Sequence, residues 1–143
     1  MAEPFETEIE IDAPAEEVFR HLTESGAMLA WMGQHAVLEP LPGGRFEVDV
    51  NGIPIRGQYL EVEAPRRVVV SWGVPGSEVL PPGATQVEFT LTATDRGTHL
   101  RLVHRNLPET ELPKHAQGWG HFLARLAVVA TGSDPGPDPW ATP

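Results

Sequence analysis

Six histidines could move a proton near neutral pH in this 143-residue chain, and two sit where chemistry would need them. His104 ends the apolar face Thr98, Leu100, Leu102 of a strand-like run, opposite Arg101, Val103 and Arg105. His115 lies on the edge of the apolar stripe of a helical stretch. As a pair they would orient a carbonyl or phenol, or relay a proton. Held by hydrogen bonds at the rim of a core, they would do neither. Tyr59 carries the same two readings, phenol donor to a ligand or core ring with a satisfied hydroxyl.

The histidines, His21, His35, His99, His104, His115 and His121, contain no pair at the four-residue spacing of a helical zinc site. His115 and His121 project from different helix faces, so no metal is expected. With no cysteine, thiol catalysis, disulfides and thiolate metal sites are excluded. A serine elbow, a phosphate-binding glycine loop and a dinucleotide fingerprint are all missing, so no cofactor is expected. Gly43-Gly44 reads as a turn, and Glu16, Glu17, Glu109 and Glu111 as acids complementing helix N-termini.

Composition narrows the partners. The formal charge of −10 opposes nucleic acid and anionic membrane surfaces. No apolar run reaches membrane-spanning length and the N-terminus lacks a signal-peptide layout, so a cytoplasmic location is expected. A 41% hydrophobic share over 143 residues suits one domain with a substantial core.

The elements that must position these side chains follow from periodicity. Phe5, Thr7, Ile9 and Ile11 alternate with glutamates as a half-buried strand. Asp12, Pro14, Glu16 and Glu17 mark a helix start, with Ala15, Val18, Phe19 and Leu22 as its apolar stripe; a second short helix over Ala27 to Met32 ends at Gly33. Phe46, Val48 and Val50 alternate up to Asn51-Gly52, a two-residue hairpin turn that sets Val50 opposite Ile53, Val48 opposite Ile55 and Phe46 opposite Gly57. Tyr59 continues that face, while Leu60 and Val62 fall outside it, as ordinary surface or as a homodimer contact. Val68, Val70 and Trp72 align in the next strand; Val87, Phe89, Leu91 and Ala93 align in the one after the loop.

That loop, Gly73 to Gly83, reads as a plain connection or, through Val79-Leu80, as a pocket rim. Pro113 to Thr131 then forms a long helix with Ala116, Trp119, Phe122, Leu123, Leu126 and Ala130 along one stripe and Lys114, Gln117, His121 and Arg125 opposite. Gly118 and Gly120 inside it each cost about 1 kcal/mol against alanine. Tight packing on the sheet or room for a ligand beside Trp119 would offset that cost. Residues 1–132 read as one domain and 133–143 as a disordered Pro- and Gly-rich tail, in which Trp140 is incidental or docks elsewhere.

Strand, two helices, six strands and a long helix, joined by short turns, give an α+β fold with an antiparallel sheet. The inward set is Trp31, Phe46, Val48, Tyr59, Trp72, Phe89, Leu91, Leu102, His104, His115, Trp119, Phe122 and Leu123. It either fills the centre as core or lines an apolar cavity.

An ordered series of short stretches carries a resemblance. Ile11-Asp12-Ala13-Pro14 with Val18-Phe19, Leu29-Ala30-Trp31 and Gly43-Gly44-Arg45-Phe46 come first. Gly57-Gln58-Tyr59, Ala64-Pro65-Arg66-Arg67, Val70-Ser71-Trp72 and Gly97-Thr98 follow, and His115-Ala116-Gln117-Gly118-Trp119 completes the series. Over residues 5 to 131 the chain resembles the SRPBCC superfamily, and within it proteins similar to the C-terminal domain of the activator of the heat-shock protein 90 ATPase. The resemblance implies a helix-grip fold, about seven curved strands wrapped around the last helix, with a deep cavity between them. It also implies noncatalytic binding of a hydrophobic or aromatic small molecule by the inward set. Alternatives are a polyketide-type cyclase or dehydratase with His104 as its acid or base, and a chaperone-activating interaction module. Nothing here resembles the extra N-terminal domain of the eukaryotic activators, so a chaperone partner is not carried over with the fold.

Overall fold

The computed structural model describes residues 4–141. Strand β1 (Phe5–Ile11) is followed by helices α1 (Ala15–Thr23) and α2 (Ser25–Leu29). Six strands follow: β2 (His35–Leu38), β3 (Arg45–Val50), β4 (Ile53–Glu63), β5 (Arg67–Trp72), β6 (Thr85–Ala93) and β7 (Thr98–Arg105). A short 3-10 turn, Glu109–Glu111, leads into α3 (Leu112–Val129). The strands form one seven-stranded antiparallel sheet in the order β1-β7-β6-β5-β4-β3-β2. β2 to β7 are thus a plain meander, and β1 and β2 occupy opposite edges. The chain crosses between those edges through α1 and α2, while α3 shares one core with the sheet.

The turn chemistry holds in detail. Asn51 and Gly52 take φ of 51° and 87°, both left-handed, and the hairpin pairs Val50 with Ile53, Val48 with Ile55 and Phe46 with Gly57. Gly57 is needed for a different reason: a Cβ there would stand 1.9 Å from the carbonyl oxygen of Ser71, so the two backbones meet too closely for any side chain. Leu60 is 41% exposed as alternation requires, but β4 slips register between Tyr59 and Glu61, so Val62 pairs with Val68 and packs against the core instead of falling outside. Helix α1 begins where Pro14, Glu16 and Glu17 mark it. Neither α1 nor α3 has a side-chain cap, because Pro14 and Glu111 occupy the cap positions.

Two rings hold the end of α1, Tyr59 from the sheet and Trp31 from the segment after α2. A helix C-terminus leaves carbonyls without partners. Here the Tyr59 hydroxyl donates to the Leu22 carbonyl at 2.9 Å, and Trp31 Nε1 donates to the His21 carbonyl at 3.0 Å. Both side chains are fully buried. Tyr59→Phe strands a buried carbonyl and should lower unfolding free energy by about 1–3 kcal/mol in urea titration. An unchanged midpoint would remove Tyr59 as an anchor.

Candidate functional site

His104 is fully buried and both its nitrogens are committed. The Trp119 indole N–H has only a proton to give, so Nδ1 of His104, 3.1 Å away, is its acceptor and carries no proton. Nε2–H then donates to Thr85 Oγ1 at 3.0 Å, and that hydroxyl donates to the Trp72 carbonyl at 2.7 Å. Burial first, and neighbouring His115 second, push the imidazole down from 6.5 to about 3. A neutral ring with every site occupied is a structural joint between α3, β7, β6 and β5. Both nitrogens are bonded and the ring does not line the cavity described below.

His115 differs. Its Nδ1 lies 3.0 Å from the Glu111 carbonyl, which accepts only, so Nδ1 carries the proton and Nε2 a lone pair. Among the described residues Nε2 has no hydrogen-bond partner, yet it is not sealed from solvent. Burial holds this ring below the ordinary histidine value, against the raising effect of the Glu111 carbonyl. Its ring meets His104 edge-on, with centroids 5.2 Å apart.

His115 opens onto a cavity of about 470 Å³, within the range of small-molecule sites. One face of α3 supplies Lys114, His115, Gly118, Trp119 and Phe122, a run of three- and four-residue steps, with Glu111 one turn earlier. The β3–β4 hairpin supplies Val50, Asn51, Ile53 and Ile55, β5 supplies Trp72, and Met32 stands before β2. The opposite rim is the loop after β5, through Val74, Ser77, Val79 and Leu80. That loop is therefore a wall rather than a plain connection, and Leu80 is buried in it. At Gly118 an added Cβ would touch nothing within 4 Å, so this glycine leaves space inside the cavity instead of allowing tight packing.

The inward set divides sharply. Trp72, His115, Trp119 and Phe122 line the cavity. Trp31, Phe46, Val48, Tyr59, Phe89, Leu91, Leu102, His104 and Leu123 do not; they are buried core. The cause is Trp119, which packs against Trp72 (centroids 5.2 Å), Phe89 (5.9 Å) and, through Trp72, Phe46 (6.0 Å). These rings fill the middle of the sheet and leave room only at one end of α3. Position along a face could not distinguish the filled end from the open one. The costly Gly118 and the apolar pair Val79-Leu80 were the available signals.

Three residues of the segment after α3, Gly136, Asp138 and Trp140, touch the helix, while Ser133, Asp134, Pro137 and Pro139 are exposed; Thr142 and Pro143 lie outside the described residues. Asp138 bonds His121 Nε2 at 2.8 Å, Arg125 donates to the Gly136 carbonyl at 3.0 Å, and Trp140 joins the cavity wall. The polar face of α3 thus finds partners in the segment that follows it.

Residues 12–131 match the family described as Activator of Hsp90 ATPase homolog 1-like protein. The chain belongs to that family. An AHSA1-like protein from Rhizobium etli is 44% identical over 100% of this chain and 92% of its own, with a TM-score of 0.78. CalU16 from Micromonospora echinospora is 30% identical over 92% of this chain and 74% of its own, with a TM-score of 0.70. DynU16, from the dynemicin biosynthetic locus, is 26% identical with a TM-score of 0.79 over 94% of this chain, which spans only 49% of that protein. No curated protein matches the sequence. The α+β helix-grip architecture is common to this chain and these structures. Among the described residues no helix is long and apolar enough to cross a membrane.

The joint at His104 carries a pH signature. The unfolded chain takes up a proton near 6.5 and the folded ring only near 3, so stability is complete above 6.5 and is lost as pH falls toward 3. From pH 7 to 5 this group alone should cost about 2 kcal/mol. His104→Gln keeps an acceptor for Trp119 and a donor for Thr85, and should flatten that loss in urea titrations at the two pH values. An unchanged slope would show that His104 is not the group responsible.

Proposed function

We propose that this family member binds an uncharged, largely apolar aromatic molecule in the cavity under the first half of α3, without transforming it. The observation that carries the reading is the combination at one place of an apolar cavity of about 470 Å³, a helix glycine that leaves it open, and a lining histidine, His115, whose Nε2 has no partner among the described residues.

Magnitudes assign the roles. Burying about 250 Å² of an aromatic ligand gives about 6 kcal/mol before association costs. One hydrogen bond adds only about 1 kcal/mol net. The walls therefore set affinity, and His115 sets orientation by accepting from a ligand hydroxyl. Hydroxylated aromatics fit better than carboxylates, since the protein's charge of −10 repels anions. The inference that the ligand is bound and not converted rests on His104. With that ring locked, the acid–base group first assigned to a cyclase is out of reach. A proton-transfer reading would have to run through His115, the one histidine among the residues that line the cavity.

Binding is tested with the neutral fluorescent probe N-phenylnaphthylamine. Gly118→Leu should narrow the cavity and weaken probe binding about tenfold or more, while raising stability by up to about 1 kcal/mol from helix propensity. Gly120, also with nothing within 4 Å of an added Cβ but exposed on the helix, is the control, and Gly120→Leu should leave binding intact. Equal binding by all three proteins would refute the cavity as the site.

Orientation has its own test. His115→Phe should weaken naphthol about two- to tenfold and leave naphthalene unaffected. Acidification should act in the same sense, because protonated Nε2 becomes a donor; Glu111, Lys114 and His104 are the titratable or charged neighbours of that ring. Equal losses for both ligands would remove His115 from the contact.

A further inference from the structure

The family match ends at residue 131, but the cavity wall does not. Trp140 reaches it from the segment beyond. Its indole stacks on His121 with centroids 3.7 Å apart and planes 11° from parallel, and meets Phe122 edge-on at 6.0 Å. Asp138 fixes that placement twice, accepting from the Trp140 backbone N–H at 3.0 Å through the same Oδ1 that bonds His121. Arg125 holds the intervening turn through the Gly136 carbonyl. These contacts locate one face of the ring on the helix, and the indole nevertheless remains 42% exposed.

An indole held edge and face by a helix, with the remainder at a cavity, is costly to order unless something covers it. Resting on the reading of the cavity as a ligand site, we infer that residues 133–141 are part of that site. In this inference Trp140 is a specificity-determining wall that favours flat aromatic ligands over aliphatic ones of similar size. The segment adds a stacking surface that the family domain alone lacks. His121 and Asp138 are positioning residues: they act on the ligand only through the indole.

Displacement of N-phenylnaphthylamine by naphthol and by decanol from the full chain tests this. Trp140→Ala should weaken naphthol about tenfold and decanol about twofold or less, and Trp140→Phe should restore most of the difference. Asp138→Ala, which keeps the indole but removes its anchor, should shift the two ligands in the same unequal way. Equal loss for both ligands, no loss, or tighter binding in Trp140→Ala would each overturn the assignment; the last would mean that the indole obstructs the cavity. If Gly118→Leu weakens the probe while both tail variants bind as the parent does, the cavity reading stands and the tail inference falls. A parent chain that binds no probe overturns both.

Discussion

The hydrogen bond from Trp119 to His104 is the constraint that organises this molecule. An indole donor buried in an apolar interior is costly without an acceptor, and that of Trp119 finds one in a histidine on the neighbouring strand face. Satisfying it fixes the rotation of α3 on the sheet and forces His104 into one tautomer. Thr85 must then accept, and β5 must supply a carbonyl to Thr85. Four elements are locked by three short links. Because Trp119 is held there, its ring closes on Trp72 and Phe89 and fills the sheet's centre. The cavity is what remains on the other side of that closure.

Much of the architecture was legible in the order of residues, for reasons that are local. Asn51-Gly52 demands left-handed φ, so the turn and its register follow together. The alternation through Phe46, Val48 and Val50, and through Val87, Phe89 and Leu91, leaves a single face that can be buried. The cavity was not legible to the same degree. Phe46 and Trp72 share a face and lie 6.0 Å apart, yet Trp72 borders open space and Phe46 does not. That difference depends on where one indole from a distant helix comes to rest. Periodicity carries no information on it. The same holds for Trp140, whose partner His121 lies on what had to be read as a solvent face.

The outer face of the sheet shows a second kind of solution. Glu88 sits in mid-strand with its side chain only 11% exposed, held by Arg67 at 2.8 Å and by Arg105. Burial raises the carboxyl, and the two guanidinium groups outweigh it and hold the group below the usual range. The trio spans β5, β6 and β7 across their solvent side, above the ring cluster on the inner side. The strands beneath α3 are therefore held from both faces.

Gly118 makes the volume of the cavity a one-residue variable. Its Cα faces the hollow from a rigid helix, with nothing nearer than 4 Å in the way of a side chain. Hydrogen, methyl, isopropyl and isobutyl at this point would shorten the chamber in graded steps without moving the joint one residue further on. The size of the chamber in this chain is thus set in part by the side chain, or its absence, at that position.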